Sequence, residues 1–441
     1  MSVRPPANKN LLLRAPYLRG EVRSKGSVES LFAAVAFCIF VLMPSAFIIS
    51  IYLGQDVETT FVAVWILVAM VAVYAEWQIK PKTGIFGFQL FALFLALLGV
   101  PGLFFIPHNL QSLLPIIAYV GVTALRLMIV FVIVPRCMMK QKLPPIDLIL
   151  RWLIYGSFII SFASALYFMT KGITVLTPGR FLAENWLHPN LVALFGCLSV
   201  YIAVLAQDIN KFVKWSSIGI GTYTLLMTQG RSAIVVCLAA LLVTFILNLI
   251  ENPKKYSLRG FLGIITFSIL AVAFGTAFRG LPAVQNIERR TFETDDPTAG
   301  RLNFIEAALD AWQRSPVFGL GFRSGGIDNV YVTMLLQTGL FGLIVYLVFF
   351  GAIMARAFRH FKYSEGHARL LGKALIVMGV AIFLRGFAER TSFLQLTDLQ
   401  SNAFCIAAGV AYLTPIGHGR KPKQEKQLLR PAVSYKKKPQ P

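Results

Sequence analysis

Residues 279–329 read RGLPAVQNIERRTFETDDPTAGRLNFIEAALDAWQRSPVFGLGFRSGGIDN, and residues 330–355, which follow directly, read VYVTMLLQTGLFGLIVYLVFFGAIMA. The first stretch is polar and holds six arginines, seven carboxylates and no lysine. The second is apolar over more than the ~20 residues that a helix needs to cross a bilayer. This boundary predicts a large polar loop on one side of a membrane, followed by a transmembrane helix.

The rest of the chain has the composition of a membrane protein. Hydrophobic residues make up 56% and charged residues 14%, against roughly 25% charged residues in soluble domains. Backbone polar groups in lipid must be satisfied internally, so apolar runs of this length predict helices. The candidate spans are 31–53, 59–76, 84–106, 111–135, 147–169, 190–207, 213–228, 232–250, 260–278, 330–355, 368–386 and 399–415. We therefore predict an all-α polytopic membrane protein of about twelve transmembrane helices, with the polar loop between helices 9 and 10.

The orientation follows from the positions of lysine and arginine, which favour cytoplasmic loops. Nearly every lysine falls in alternate loops and in the two termini, with Lys171 as the exception. This pattern predicts a basic cytoplasmic tail at 1–28, a transmembrane domain at 29–416 with an external loop at 280–328, and a second basic cytoplasmic tail at 417–441. The net charge of +22 then reflects topology and attraction to anionic lipid, and not nucleic-acid binding.

Several arginines lie on the external side, where topology disfavours positive charge. One explanation is pairing with the carboxylates of the same loops, since surface ion pairs are common and weak. The other is an anionic substrate, because guanidinium makes bidentate contacts to phosphate and stays charged near apolar surroundings. The set as a whole favours the substrate. Its basic residues are Lys171, Arg180, Arg231, Arg279, Arg289, Arg290, Arg301, Arg314, Arg323, Arg385 and Arg390.

The polar loop itself contains a helical pattern. Residues 301–316, RLNFIEAALDAWQRSP, place Leu302, Ile305, Leu309 and Trp312 on one helical face, and proline ends the run. We expect this amphipathic helix to lie along the membrane interface. The glycines at 319, 321, 325 and 326 that follow either bring backbone amides close to an anion or form a plain loop.

Two further positions have competing interpretations. Asp328 stands before an apolar helix, where it is either an N-cap or a general base that accepts a proton from an attacking hydroxyl. Arg231 begins a predicted span, where it either snorkels to the interface or binds a ligand. Histidines and cysteines show no metal-ligand spacing, and the pair Asp295-Asp296 is weak evidence for a cation site. The absence of a nucleotide-type glycine loop argues against ATP-driven transport.

Five segments resemble those of the O-antigen ligase and O-antigen/exopolysaccharide polymerase superfamily of bacterial inner membranes. They are HPN at 188–190, TQGRSA at 228–233, R-x-N-F-x-x-A-x-x-x-x-W at 301–312, SPVFGLGF at 315–322 and DNVYVTMLLQTGLFGL at 328–343. The resemblance implies a GT-C-like helical bundle with a periplasmic loop, embedded in inner-membrane lipid. It implies transfer of a glycan from undecaprenyl diphosphate to an acceptor hydroxyl, without a metal or other cofactor and without nucleic acid. Other polysaccharide assembly proteins are expected as further partners.

The resemblance also implies roles for individual residues. Arg231 and Arg301 would bind the carrier diphosphate, with Arg180 or Arg323 assisting, and Asp328 would be the base. The acceptor or glycan would contact His188, Asn329 and Trp312. The family usually carries His-Asn where this chain has Asp328-Asn329, and this departure favours a polymerase of lipid-linked repeat units over a ligase that acts on lipid A-core.

Two other classes of protein use similar residues. A transporter of anionic lipid-linked glycan would use the same arginines but would place charges near the bilayer midplane. Arg126 is the one clearly deep charge in the sequence, which counts against transport. A non-catalytic assembly protein would use the polar loop as a docking surface. Both remain alternatives to the enzyme.

Overall fold

The computed structural model describes residues 120–141, 143–174, 189–206, 209–253, 280–292, 301–321, 327–389 and 399–417, with a few single positions before residue 98. These residues form helices joined by turns, with no strand among them. The helices are α1 (Val120–Met138), α2 (Pro145–Thr170), α3 (Pro189–Leu205), α4 (Lys211–Thr228), α5 (Arg231–Glu251), α6 (Pro282–Phe292), α7 (Arg301–Trp312), α8 (Val330–Tyr363), α9 (Gly366–Ala388) and α10 (Leu399–Leu413). The predicted spans 31–53, 59–76, 84–106 and 260–278 lie wholly or almost wholly outside the described residues.

Five of these helices are long and apolar enough to cross a membrane, namely α1, α2, α5, α8 and α9. The chain is therefore a multi-pass membrane protein. The shorter α3 and α10 are apolar as well. The predicted span at 213–228 corresponds to α4, which is not among the helices apolar enough to cross a membrane. The total of about twelve spans and the side on which each loop lies stay predictions.

The helices differ in how much of their surface the protein covers. In α3 and α10 nearly every side chain is buried, so these two helices lie in the interior of the bundle. By contrast, α2 and α5 each expose a stripe of large apolar side chains at helical spacing. Stripes of this kind face hydrocarbon in a membrane protein, because lipid tails are as apolar as the side chains themselves. The stripes are Tyr155, Ile159, Phe162, Leu166 and Met169 on α2, and Val235, Leu238, Leu242, Ile246 and Ile250 on α5.

Small residues allow close packing inside this bundle. A Cβ on Gly196 of α3 would lie 2.8 Å from the carbonyl oxygen of Gly221 in α4, and a Cβ on Gly221 would lie 2.7 Å from the carbonyl oxygen of Gly196. The two backbones therefore touch where α3 and α4 cross, as expected for helices that associate in lipid. In α1, a π-helical turn at Ile129–Ile133 precedes Pro135, which has no N–H to donate to the preceding turn.

The most consequential feature of the fold is a break in α8 at Gly339. This residue has φ 67° and ψ −172°, which is far from helical geometry. Tyr331 and Phe350 lie on opposite sides of the break, and both pack on the ring of Phe383, at centroid distances of 5.6 and 6.0 Å. In a straight helix, residues 331 and 350 would be about 28 Å apart along the axis. The segment 330–338 is therefore bent sharply toward α9.

Several charged side chains are buried in the bundle. Arg126 is fully buried, and its Nε and Nη2 donate to Asn402 Oδ1 of α10 at 3.0 and 2.8 Å. It lies ten residues before Arg136, about 15 Å along the helix and thus about half of a bilayer core. Lys373 is also buried, beside Glu251. It lies near one end of α9, so the expectation that Arg126 is the one clearly deep charge stays a prediction.

Candidate functional site

The motif TQGRSA forms the sharp junction between α4 and α5. Gln229 is buried and left-handed, with φ 49°, and it ends α4. Gly230 then approaches α3 so closely that a Cβ there would lie 2.6 Å from Ala193 Cβ. Arg231 is the first residue of α5, and its side chain is half-buried. The motif is therefore built to turn the chain in a confined space and to place an arginine at a helix N-terminus, where backbone N–H groups also favour an anion.

Ser232, the residue after Arg231, contacts the C-terminal end of α9. Ser232 Oγ donates to Glu389 Oε1 at 2.9 Å. The other carboxylate oxygen of Glu389 accepts from Arg385, at 3.1 Å from Nε and 2.8 Å from Nη2. Glu389 and Arg385 are both buried, so this ion pair is shielded from solvent. Arg385, one of the arginines predicted to lie on the external side, is therefore paired with a carboxylate, which is the first of the two explanations considered for these arginines.

The residues before α8 reach the same end of α9. Asn329 Oδ1 accepts from the N–H groups of Tyr331 and Val332 at 3.0 and 3.1 Å, and its Nδ2 donates to the carbonyl of Phe387 at 3.2 Å. The N-cap of α8 is thus Asn329, so the capping alternative considered for Asp328 is wrong. Asp328 is exposed. The carboxylate of Asp328 therefore does not cap the N-terminus of α8.

The two halves of the site meet at the last residues of α9. Ser232, next to Arg231, is bonded to Glu389, and Asn329, next to Asp328, is bonded to Phe387. The bend at Gly339 is what brings residues 329–331 to this place. We call this end of the bundle, defined by residues 231–232, 328–329 and 385–389, the arginine end.

A second segment of the polar loop docks into the break of α8. In a continuous helix the carbonyls of Leu336 and Gln337 would accept from residues 340 and 341. Here they accept from Leu320 and Gly321, at 2.7 and 2.9 Å. The amides of Leu340 and Phe341 donate instead to the carbonyls of Pro316 and Val317, at 2.9 and 3.1 Å. Residues 316–321 therefore satisfy the backbone groups that the break exposes, as membrane helices require.

This docking assigns a structural role to part of the glycine segment. Gly319 has φ 70°, and its amide donates to Ser315, while the amide of Gly321 donates to Gln337. These two amides are used within the protein, so they are not the anion-binding nest considered for this segment. The glycines at 325 and 326 lie outside the described residues.

The amphipathic helix predicted in the polar loop is confirmed as α7. It begins at Arg301, ends at Trp312 and packs against α8. Leu302 and Phe304 are exposed, which agrees with a helix at a membrane interface. The indole Nε1 of Trp312 donates to the carbonyl of Pro316 at 2.9 Å, so this side chain ties α7 to the docked segment.

The polar loop contains one more helix, α6, which the sequence did not predict. Its Asn286 Nδ2 donates to Gln229 Oε1 at 3.1 Å, and so α6 contacts the junction that carries Arg231. The proline at position 282, where α6 begins, was an available signal, since proline favours the first turn of a helix. The predicted site residues Arg180, His188 and Arg323 lie outside the described residues, and only the backbone of Arg301 is described.

Residues 231–232 and 328–329 of the arginine end lie in the part of the chain that matches a known family. Residues 216–347 match a family model described as O-Antigen ligase. The chain carries an O-antigen ligase family domain. This domain contains α5, the loop helices and the broken part of α8, and the match confirms the resemblance seen in the sequence. It supports an activity of the O-antigen ligase or polymerase type, a glycosyltransferase reaction on a lipid-linked glycan. No curated protein matches the chain.

The cap of α8 leads to a first prediction. Asn329→Ala removes both the cap and the bond to Phe387, whereas Asn329→Ser keeps a capping oxygen and loses only the bond. Loss of an N-cap costs about 1 kcal/mol, so hydrogen exchange over residues 330–338 should become roughly fivefold faster in Asn329→Ala than in Asn329→Ser. Mass spectrometry of the purified protein measures this. Equal exchange in the two variants would show that Asn329 does not cap α8.

Proposed function

We propose that this protein polymerises undecaprenyl-diphosphate-linked oligosaccharide repeat units at the periplasmic face of the inner membrane, with both termini in the cytoplasm. The observation that carries the proposal is that residues 231–232 and 328–329, which both belong to the O-antigen ligase family domain, meet at the end of α9. An arginine at a helix N-terminus and an exposed carboxylate provide the two functions that glycosyl transfer from a diphosphate needs.

The reaction is an inverting displacement. Asp328 accepts the proton of the attacking sugar hydroxyl, and the hydroxyl oxygen forms a bond to the anomeric carbon. The bond from that carbon to the phosphate oxygen breaks, and the diphosphate leaves with the electron pair. Arg231 and Arg301, with Arg180 or Arg323, stabilise the charge that develops on the leaving diphosphate. The protein needs no metal for this step in our proposal.

The polymerase is favoured over the ligase by the residue at position 328. Relatives usually have histidine there, and the resemblance links that histidine to the ligases as their base. An aspartate performs the same proton transfer, while the change argues for a different acceptor. The ligase, which would transfer glycan to lipid A-core, is the second candidate function.

Asp328 provides the direct test of the chemistry. Asp328→Asn keeps the size of the side chain and removes the base, so glycan transfer should fall by about 10²-fold or more. Asp328→His should retain more activity than Asp328→Asn, because an imidazole can also accept the proton. The matched control is Asp310→Asn, an exposed carboxylate on α7, which should leave transfer unchanged.

The assay uses the full-length protein in liposomes with an undecaprenyl-diphosphate-linked oligosaccharide, analysed by gel electrophoresis. Longer lipid-linked chains support the polymerase, and transfer to added lipid A-core identifies a ligase. Movement of the lipid-linked glycan across the bilayer without new glycosidic bonds would identify a transporter. A non-catalytic assembly protein would neither elongate the glycan, nor transfer it, nor move it across the bilayer. Normal activity of Asp328→Asn would contradict the assignment of the base.

A further inference from the structure

The carboxylate of Glu389 occupies an unusual position at the arginine end. It follows α9, is only 7% exposed, and uses both oxygens for contacts with two different elements. Oε1 accepts from Ser232 of α5, and Oε2 accepts from Arg385 one turn back on α9. A buried carboxylate is costly unless it is paired and hydrogen-bonded. Here the pairing and the hydrogen bonds are both present, so the group is held in place.

The first turn of α5 has no side-chain cap of its own, so a carboxylate from another helix is favourable there. Its N-cap position is Gly230, which provides no side-chain hydrogen bond. A larger capping residue does not fit there, because a Cβ would lie 2.6 Å from Ala193 Cβ. A negative charge near a helix N-terminus is favourable. Glu389 therefore places a carboxylate beside the first turn of α5 and bonds the side chain of Ser232 there, in a turn that its own N-cap residue does not cap.

The same turn of α9 also holds the segment before α8. The carbonyl of Phe387 accepts from Asn329, and the carbonyl of Phe383 accepts from the hydroxyl of Tyr331 at 2.8 Å. The end of α9 is thus bonded on one side to the residue after Arg231 and on another to the residue after Asp328. The separation of these two side chains depends on both sets of contacts.

We infer that Glu389 is a positioning residue, which fixes the first turn of α5 relative to Asp328 and keeps Arg385 from competing with Arg231 for the diphosphate. The inference rests on the proposed function and adds to it a residue outside the family domain. Glu389 itself touches no substrate. Its two roles, holding Ser232 and neutralising Arg385, predict an effect on turnover that differs from the effect on substrate binding.

The test compares kcat and KM for the lipid-linked oligosaccharide in the liposome assay. In Glu389→Gln the guanidinium of Arg385 loses its counter-charge, so the anionic substrate should bind at least as well as before. The first turn of α5 is held less firmly, so kcat should fall by about tenfold or more while KM does not rise. The matched control is Glu365→Gln, an exposed glutamate at the other end of α9, which should behave like the unaltered protein.

A double-mutant cycle makes the test independent of folding defects in one variant. Ser232→Ala removes the bond to Oε1 and leaves the ion pair intact. If Glu389 acts through Ser232, the double variant should lose less activity than the two single losses multiplied together. Glu389→Asp keeps the carboxylate, so it should retain more activity than Glu389→Gln. A raised KM with unchanged kcat, or independent effects of the two substitutions, would overturn the inference but not the proposed function. An unaltered protein that transfers no glycan would overturn both.

Discussion

Arg231→Ala should reduce glycan transfer by about 10²-fold or more, the scale on which removal of a key electrostatic donor acts in other enzymes. Arg231 is the first residue of α5, and the N–H groups of a helix N-terminus also favour an anion. The leaving diphosphate gains charge in the transition state, and the arginine stabilises that charge. The expected loss is therefore mainly in kcat, measured as the rate of elongation in liposomes.

Arg231→Lys separates the charge from the geometry. Lysine keeps a positive charge but makes no bidentate contact, so its activity should lie between those of the unaltered protein and Arg231→Ala. Arg314→Ala is the control, because Arg314 is an exposed arginine in the turn after α7. If Arg231→Ala elongated glycans at the normal rate, the assignment of the diphosphate site would be wrong.

The apolar runs predicted the described membrane helices well, because a segment that crosses lipid must be apolar and must satisfy its backbone hydrogen bonds internally. The predicted spans 147–169 and 232–250, for example, correspond to α2 and α5 within two residues at each end. The polar loop was harder to predict. Its amphipathic helix α7 was predicted from the apolar spacing, whereas α6 has mainly polar residues and was missed.

The break in α8 was not predictable from the run 330–355. Glycine occurs in regular membrane helices, so neither Gly339 nor Gly342 signals a bend by itself. The bend depends on residues 316–321, which are distant enough in sequence that their docking is a tertiary effect. The observed length of α8 is consistent with the bend. Its 34 residues would extend about 51 Å as one helix, well beyond a core of about 30 Å.

The candidate site, like the fold, was predictable from the sequence only in part. The sequence identified Arg231 because a positive charge is costly at the start of an apolar span, and Asp328 because a carboxylate beside arginines can act as a general base. It also placed Arg385 on the same side. It could not show that Glu389 accepts from Ser232, since that contact joins residues more than 150 positions apart.

The second large effect is expected at Gly339. Its φ of 67° and ψ of −172° fall in a region of backbone conformation that is essentially restricted to glycine. A Cβ at this position would also collide with the carbonyl of Val317 in the docked segment. Gly339→Ala should therefore abolish the break. The helix can then re-form its own bonds at residues 336–341, and residues 316–321 lose their place.

A continuous α8 would carry residues 329–331 away from α9, so Asp328 would leave the neighbourhood of Arg231. Glycan transfer should fall at least as far as in Arg231→Ala, although the protein remains helical and membrane-embedded. A cysteine pair, Val330→Cys with Gly386→Cys, reports the geometry directly, because Val330 packs on Gly386 in the bent form. Its cross-link should form in the unaltered background and fail when Gly339→Ala is added.

Gly351→Ala is the matched control within the same helix. A Cβ at this position meets nothing within 4 Å, and alanine is the better helix former by about 1 kcal/mol. Activity and cross-linking should therefore be unchanged. Gly319→Ala attacks the docking from the other side, because a Cβ there would lie 2.5 Å from the backbone of Gln337, and it should reproduce the loss seen with Gly339→Ala. Full activity in both variants would mean that the break does not position Asp328; loss in both, with Gly351→Ala intact, would tie the bend in α8 to the chemistry at the arginine end.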